Sequence, residues 1–309
     1  MNYEENKKYH FKKVEQLKKS GHVKENIPFT NPDITFKSNK KILIVSGDSW
    51  SDKTFRSSCY PDMDVSWPKW PELLAKKWNM EIINCSRGGQ GNEYIYSTLQ
   101  DIIMNIEDKS KIGMVIGSWS QASRYDYQIT TGHEKWAHCN ARYSWWSERV
   151  QPTGDLMGWM RKSIRNYLAL QILCERYDLP YIQFSMMHPY INFLNGLWPT
   201  ENDITFRGKD YIKDKMKYPG KRKKDEAILQ RLLNETSRII DIEKFPGWPL
   251  AIQHGGYALT HEILKYGTTW EQEKQWVISE LDQHPNAKGQ EKICEFIKEK
   301  SENIYDGLG

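Results

Sequence analysis

The stretch KILIVSGDSWSD, residues 41–52, joins a short apolar run to Gly47-Asp48-Ser49, with Trp50 immediately after. A run of strand length without polar alternation suits a strand buried on both faces, as in a parallel sheet. The pattern returns downstream in MEIINC (80–85), IGMVIG (112–117) and YIQFSM (181–186). Helical stretches lie between: WPELLAKKW (70–78), one within NEYIYSTLQDIIMNI (92–106), and WMRKSIRNYLALQILCERY (159–177). In the last of these, Ile164, Leu168 and Ile172 recur at helical spacing and mark an expected core stripe. Strand and helix in alternation predict a three-layer α/β sandwich with a mostly parallel, flavodoxin-like sheet.

In such sheets ligands bind beyond the carboxyl ends of the strands. Gly47-Asp48-Ser49, Ser86-Arg87-Gly88-Gly89, Gly117-Ser118-Trp119-Ser120 and His188-Pro189 follow the four runs. Any one cluster is what a turning chain needs. All four together predict a shared site along one sheet edge.

Composition narrows the classes. The 309 residues carry a formal charge of +4, too mild for a nucleic-acid partner, and the basic run KDYIKDKMKYPGKRKK (209–224) reads as a solvated loop. Thirteen Trp and seventeen Tyr suggest aromatic platforms for sugars or partners, with a share of them in the core. Cys59, Cys85, Cys139, Cys174 and Cys294 are scattered without a paired framework, which favours a reducing compartment. The first twenty residues lack the apolar core of a signal peptide. No stretch reaches the roughly 18 apolar residues of a membrane helix. The expectation is a protein that is cytoplasmic when made, with no membrane and no nucleic-acid partner.

Residues 1–38 are polar and charged, with Phe11, Val14 and Leu17 as a thin stripe, and read as an N-terminal docking arm. Residues 39–305 read as one domain with insertions at 127–152 and 190–275. The second insertion is long for a sheet connection. It is expected to form a cap whose Trp198, Trp248, Tyr257 and Trp270 line a groove or fill its own core. His133 and His138 in HEKWAH are five apart, about 140° around a helix, which is not a zinc pair. No metal and no cofactor are expected.

The segment LDQHPNAKGQEKICEFI (281–297) places Asp282 two residues before His284, ahead of a helix with Asn286 as its N-cap and Ile293 and Ile297 on one face. Ser, His and Asp together suit nucleophilic catalysis. A serine hydroxyl needs an imidazole to take its proton. The imidazole needs an acid to hold its tautomer. The oxyanion needs fixed donors. His188 and His254 are second-choice bases that suit loop or core positions better.

In order and spacing these blocks resemble the SGNH (GDSL-type) hydrolase family. The phage-associated branch is the nearer look, because Ser66-Trp67-Pro68 through Leu74-Ala75 follows the GDS block. The resemblance implies that Ser49 is the nucleophile, that Gly89 supplies an oxyanion amide beside that of Ser49, and that His284 and Asp282 complete a triad. Asn84, Gly89 and Asn92 match the second block. The third block, GSWSQASR (117–124), lacks the family's Asn, leaving Ser120 or Asn92 as the further donor. In the fourth block the family's usual acid position is Leu281, with Asp282 in its place and Glu280 a weaker substitute. Arg87, Arg124 and Trp119 are the candidate substrate contacts, the two arginines equally readable as salt-bridge formers.

The resemblance implies a serine esterase that removes an acyl group, such as O-acetyl, from a glycan or a smaller ester. It also implies a phage setting: a virion component, with other virion proteins held through the arm, or an enzyme made late in infection. The alternative is an SGNH-fold structural or glycan-binding module of a virion with a degraded site.

Overall fold

The computed structural model describes residues 39–187 apart from 58, 123, 131–133 and 141–155, and residues 231–305 apart from 233, 237, 247, 249–258 and 260–273. The expected arm (1–38), most of the expected cap, and His133, His188, Trp198, His254, Tyr257 and Trp270 lie outside the described residues.

Among the described residues four strands form one parallel sheet: β1 (Ile42–Ser46), β2 (Glu81–Asn84), β3 (Ile112–Trp119) and β6 (Tyr181–Ser185), in the order β2-β1-β3-β6. Strands β1 and β3 are buried along their whole length. The central position of β1 follows from its sequence, since a strand with no polar face has to be covered on both sides.

Alternation along β1 sorts its side chains between two cores. Ile42 and Ile44 pack with Ile95, Leu99 and Ile103 of α2 (Asn92–Asn105) and with Met160, Ile164 and Tyr167 of α3 (Leu156–Arg176). Leu43 and Val45 pack on the other face with Trp70 and Leu74 of α1 (Trp70–Lys77) and Ile293 and Ile297 of α4 (Ala287–Tyr305). Helices on both faces of a parallel sheet, two on each among the described residues, make the three-layer sandwich. Each such aliphatic side chain taken from water contributes about 1.5–3 kcal/mol before chain entropy is charged against it.

The inward stripe of α3 differs from the expected one. Met160, Ile164, Tyr167, Leu170 and Cys174 are buried and Leu168 is partly so, whereas Ile172 is 62% exposed. Spacing identified the helix correctly but rotated its buried face, because Tyr167 and Cys174 are also core residues. Trp50, Trp70, Trp119, Trp159 and Trp248 are all buried, so much of the aromatic excess is core. Trp248 fills the core rather than lining a groove, with ring centroids 5.2 Å from Phe245 and 6.3 Å from Tyr167.

One element was not anticipated. β4 (Arg124–Thr130) and β5 (Glu134–Asn140) pair antiparallel, the hairpin starting just before the insertion expected at 127–152 and running into it. His138 is therefore on a strand, where it faces Asp126 in register.

Candidate active site

The nucleophile candidate is set by the end of β1. The Ser51 N–H returns to the Asp48 carbonyl at 3.0 Å, and the Trp50 N–H to Asp48 Oδ1 at 3.1 Å, which turns the chain sharply and leaves Ser49 at the bend. The side chains on either side of Ser49, Asp48 and Trp50, are buried, while Ser49 is partly exposed.

The turn is anchored from below. Gln290 of α4 accepts the Trp70 N–H at 2.8 Å and donates to the Trp50 carbonyl at 3.1 Å, joining the starts of two helices to the bend. Trp70 Nε1 donates to Ser51 Oγ at 3.0 Å.

The segment that carries His284 and Asp282 arrives from the far end of the chain. Residues 276–286 fold back on themselves: Ile278 N–H bonds the His284 carbonyl at 2.9 Å, and Ser279 N–H the Asp282 carbonyl at 2.9 Å. Asn286 accepts the Gly289 N–H at 3.0 Å, the expected cap at the start of α4. This small hairpin presents His284 to the bend after β1.

There, His284 Nε2 lies 2.8 Å from Ser49 Oγ, and His284 Nδ1 lies 2.6 Å from Asp282 Oδ1. The His284 N–H also reaches Asp282 Oδ1, at 3.1 Å. The second carboxylate oxygen takes a hydrogen bond from the hydroxyl of buried Ser57. Burial pushes the Asp282 carboxyl up, but the hydrogen bonds from His284 and Ser57 outweigh it and hold it below the ordinary carboxylate range. Phe55 packs on the imidazole with ring centroids 4.2 Å apart, and Trp50 stands 6.5 Å away. The Asp-x-His spacing thus brings both the ring and the backbone of His284 to one carboxylate oxygen.

Beside Ser49 runs the turn after β2. Gly89 has φ 84°, a left-handed conformation that disfavours side chains. Asp52 holds this turn in place, accepting the Gly88 N–H at 2.8 Å, while Arg87 donates its backbone N–H to the Gly47 carbonyl at 2.9 Å. Asn84 completes the join, with Nδ2 2.9 Å from the Ser51 carbonyl and Oδ1 accepting the Ser86 N–H at 3.0 Å. Among the described residues no backbone acceptor takes the N–H of Ser49 or of Gly89. The turn lies against the bend, an added Cβ at Gly88 standing 3.6 Å from Ser49 Cβ.

The further donors expected from sequence are engaged inside the fold. Asn92 accepts the Ser120 N–H at 2.8 Å and donates to Ser163 at 2.9 Å and Tyr167 at 3.4 Å. Ser120 is fully buried and gives its hydroxyl to Asp48 Oδ2 at 3.1 Å, since a carboxylate only accepts. The Arg124 guanidinium is 3.4 Å from the same Asp48 oxygen and 3.2 Å from the Gln90 carbonyl. Arg124 thus forms a salt bridge to the bend, one of the two roles expected of it. Trp119, expected as a substrate contact, is fully buried on Tyr167 at 4.7 Å, with Nε1 bonded to Gln183 at 3.0 Å; that expectation is corrected by its burial.

Two residues were missed by sequence reading. Ser57 has no local signature, because its partner lies 225 positions away. Asp126 is buried and accepts the Gly91 N–H at 2.6 Å and the Tyr94 N–H at 2.9 Å, capping α2 from a different strand. An added Cβ at Gly91 would stand 2.8 Å from Asp126 Oδ2 and 2.9 Å from the Arg124 carbonyl, so only glycine fits.

No family model and no curated protein matches the chain. Among solved structures it is similar to TesA, at 11% identity and a TM-score of 0.39, over 85% of this chain and 99% of that one. It is similar also to a protein assigned to the lipolytic G-D-S-L family from Desulfitobacterium hafniense DCB-2, at 12% identity and a TM-score of 0.36, over 85% and 99%. A third is the psychrotrophic esterase EstA from Pseudoalteromonas sp., at 13% identity and a TM-score of 0.36, over 86% and 98%. At these identities and TM-scores the likenesses carry no argument about activity. That question rests on the residues of the site.

Proposed function

We propose that the chain is a serine ester hydrolase with Ser49 as nucleophile, His284 as base and then acid, and Asp282 as the group that orients the imidazole. The observation that supports this most directly is the unbroken line of hydrogen bonds, 2.8 Å from Ser49 to His284 and 2.6 Å from His284 to Asp282. Both are of normal length for a poised nucleophile and base.

His284 Nε2 takes the Ser49 proton as Oγ attacks the ester carbonyl. The charge that builds on the carbonyl oxygen is met by the Ser49 and Gly89 amides. Asp282, held as carboxylate, stabilises the imidazolium. Nε2 then returns the proton to the departing alcohol, leaving an acyl-serine. Water, deprotonated by the same imidazole, releases the acid and restores Ser49.

Within esters we propose an O-acyl glycan as the substrate, and a virion component using residues 1–38 as its docking arm. The glycan reading rests on the aromatic richness of the chain, thirteen Trp and seventeen Tyr. The virion reading rests on the phage-like blocks. A binding module with a degraded site is the second reading. It is favoured by one observation, that Ser120 and Asn92 spend their donors inside the fold.

The test is hydrolysis of p-nitrophenyl acetate and acetate release from O-acetylated polysaccharides by the wild type and Ser49→Ala. Turnover lost in the variant supports the esterase. Glycan binding without turnover in either protein supports the module.

A further inference from the structure

The loop after the nucleophile runs alongside the acid–base segment and touches it at alternate residues. Phe55 packs on His284, Ser57 bonds Asp282, and Cys59 Sγ lies 3.5 Å from the Leu281 carbonyl. As the loop advances, its contacts step back along the other segment, as two antiparallel strands would.

From this arrangement we infer that Ser57 is a positioning residue of the reaction, fixing the Asp282 carboxylate so that one oxygen is left to His284. The inference rests on the esterase reading above. Its ground is the division of labour on one carboxylate. Oδ1 receives the ring Nδ1–H and the backbone N–H of His284, at 2.6 and 3.1 Å, while Oδ2 receives the Ser57 hydroxyl.

The direction of the Ser57 bond is fixed by its surroundings. A carboxylate can only accept, and a Ser57 lone pair already takes the Tyr60 N–H at 2.9 Å, so the hydroxyl proton points at Asp282. Ser57 and Asp282 are both buried, so water does not substitute for the hydroxyl if it is removed.

Without it, Asp282 can rotate about its Cβ–Cγ bond and offer His284 a poorer angle. The imidazole then loses its fixed tautomer, and Ser49 its base, an effect that reaches both through Asp282. The Asp282 backbone is held separately, by Ser279 Oγ at 3.0 Å, so the fold of the segment does not depend on Ser57 alone.

The test uses the full chain as wild type, Ser57→Ala, Ser57→Thr and Ser57→Cys. Two quantities are read: the rate of fluorophosphonate modification of Ser49 across pH, and the downfield proton resonance of His284 Nδ1–H. In Ser57→Ala the plateau rate should fall about tenfold, and the resonance should move or broaden. Ser57→Thr, which keeps the hydroxyl, should restore most of both. An unmoved resonance with a wild-type rate in Ser57→Ala overturns the inference, as does a loss that Ser57→Thr fails to restore in a folded protein. Should Ser57→Ala not fold, Ser57→Cys carries the same reading, because a thiol is a much weaker donor. The resonance reports on Ser57, Asp282 and His284 whether or not Ser49 reacts. A chain in which Ser49 never labels but the resonance responds to Ser57 therefore contradicts the esterase and not the link.

Discussion

Ser49 Oγ and His284 Nε2 stand 2.8 Å apart across 235 positions of sequence. Each is delivered by a different element, one by the bend after β1 and the other by the hairpin that precedes α4. Gln290 and Trp70 join those elements beneath the site.

The clearest prediction on the chemistry concerns Asp282→Asn. The amide keeps the shape but offers His284 Nδ1 a different partner, favouring the wrong tautomer. In a serine protease that exchange lowers kcat by about 10⁴. A fall of roughly 10³–10⁴ in kcat with KM little changed is expected here, read from steady-state kinetics on an activated ester.

Arg124 gives a prediction about stability. Arg124 and Asp48 are 13% and 0% exposed, and their 3.4 Å contact neutralises a carboxylate with no access to water. Arg124→Met should cost about 3 kcal/mol, since it strands that charge. The Ser120 hydroxyl and Trp50 amide remain on Asp48 and should keep the loss below the full penalty of an isolated ion. Urea unfolding of both proteins reads the difference.

Asp126 gives a pH dependence of definite sign. Burial pushes its carboxyl up to about 6, against the pull of the Tyr94 and Gly91 amides. The folded form therefore holds a proton that the unfolded chain releases near pH 4. Stability contributed by Asp126 is present in full below that value and declines as pH rises towards 6, by about 2–3 kcal/mol in all. Asp282 has the opposite sign: its depressed carboxyl contributes stability above the unfolded value and loses it as pH falls through the folded one. Melting curves of wild type and Asp126→Asn between pH 4 and 7 isolate the first effect, the variant being flatter over that range.

Trp119→Phe separates core from ligand contact. Losing the indole N–H leaves the buried Gln183 oxygen without its donor and opens a small cavity. The cost should be about 2–3 kcal/mol, with KM for a small ester unchanged. A raised KM in a protein of wild-type stability would return Trp119 to the binding surface.

How far the sequence could be read depended on whether a feature is local. Ile42 to Ser46 shows its burial in five consecutive residues, and Asp282 its partner at a spacing of two. The direction of β1 and the rule for strand ends place Ser49 without any tertiary information. Ser57 and Asp126 have no such local mark, because each acts on a residue brought near only by folding, and Arg124 was legible as a salt-bridge former without its partner Asp48. Asn92 and Ser120 were readable as polar residues at strand and helix ends. What they bond to was not, since Ser163, Tyr167 and Asp48 reach them through the packing of α3 and β3. The hairpin of β4 and β5 went unread because its aromatic residues resembled an irregular insertion more than two facing strands.

The activated state of Ser49 is tested most directly by fluorophosphonate labelling of wild type, Ser49→Ala and His284→Ala, located by peptide mapping. Attack at phosphorus expels fluoride and leaves a stable phosphonyl serine, with no substrate to be guessed. One adduct is expected, on Ser49, absent from both variants. No adduct under conditions that label a control serine hydrolase, or an adduct that persists in His284→Ala at the wild-type rate, would contradict that activated state.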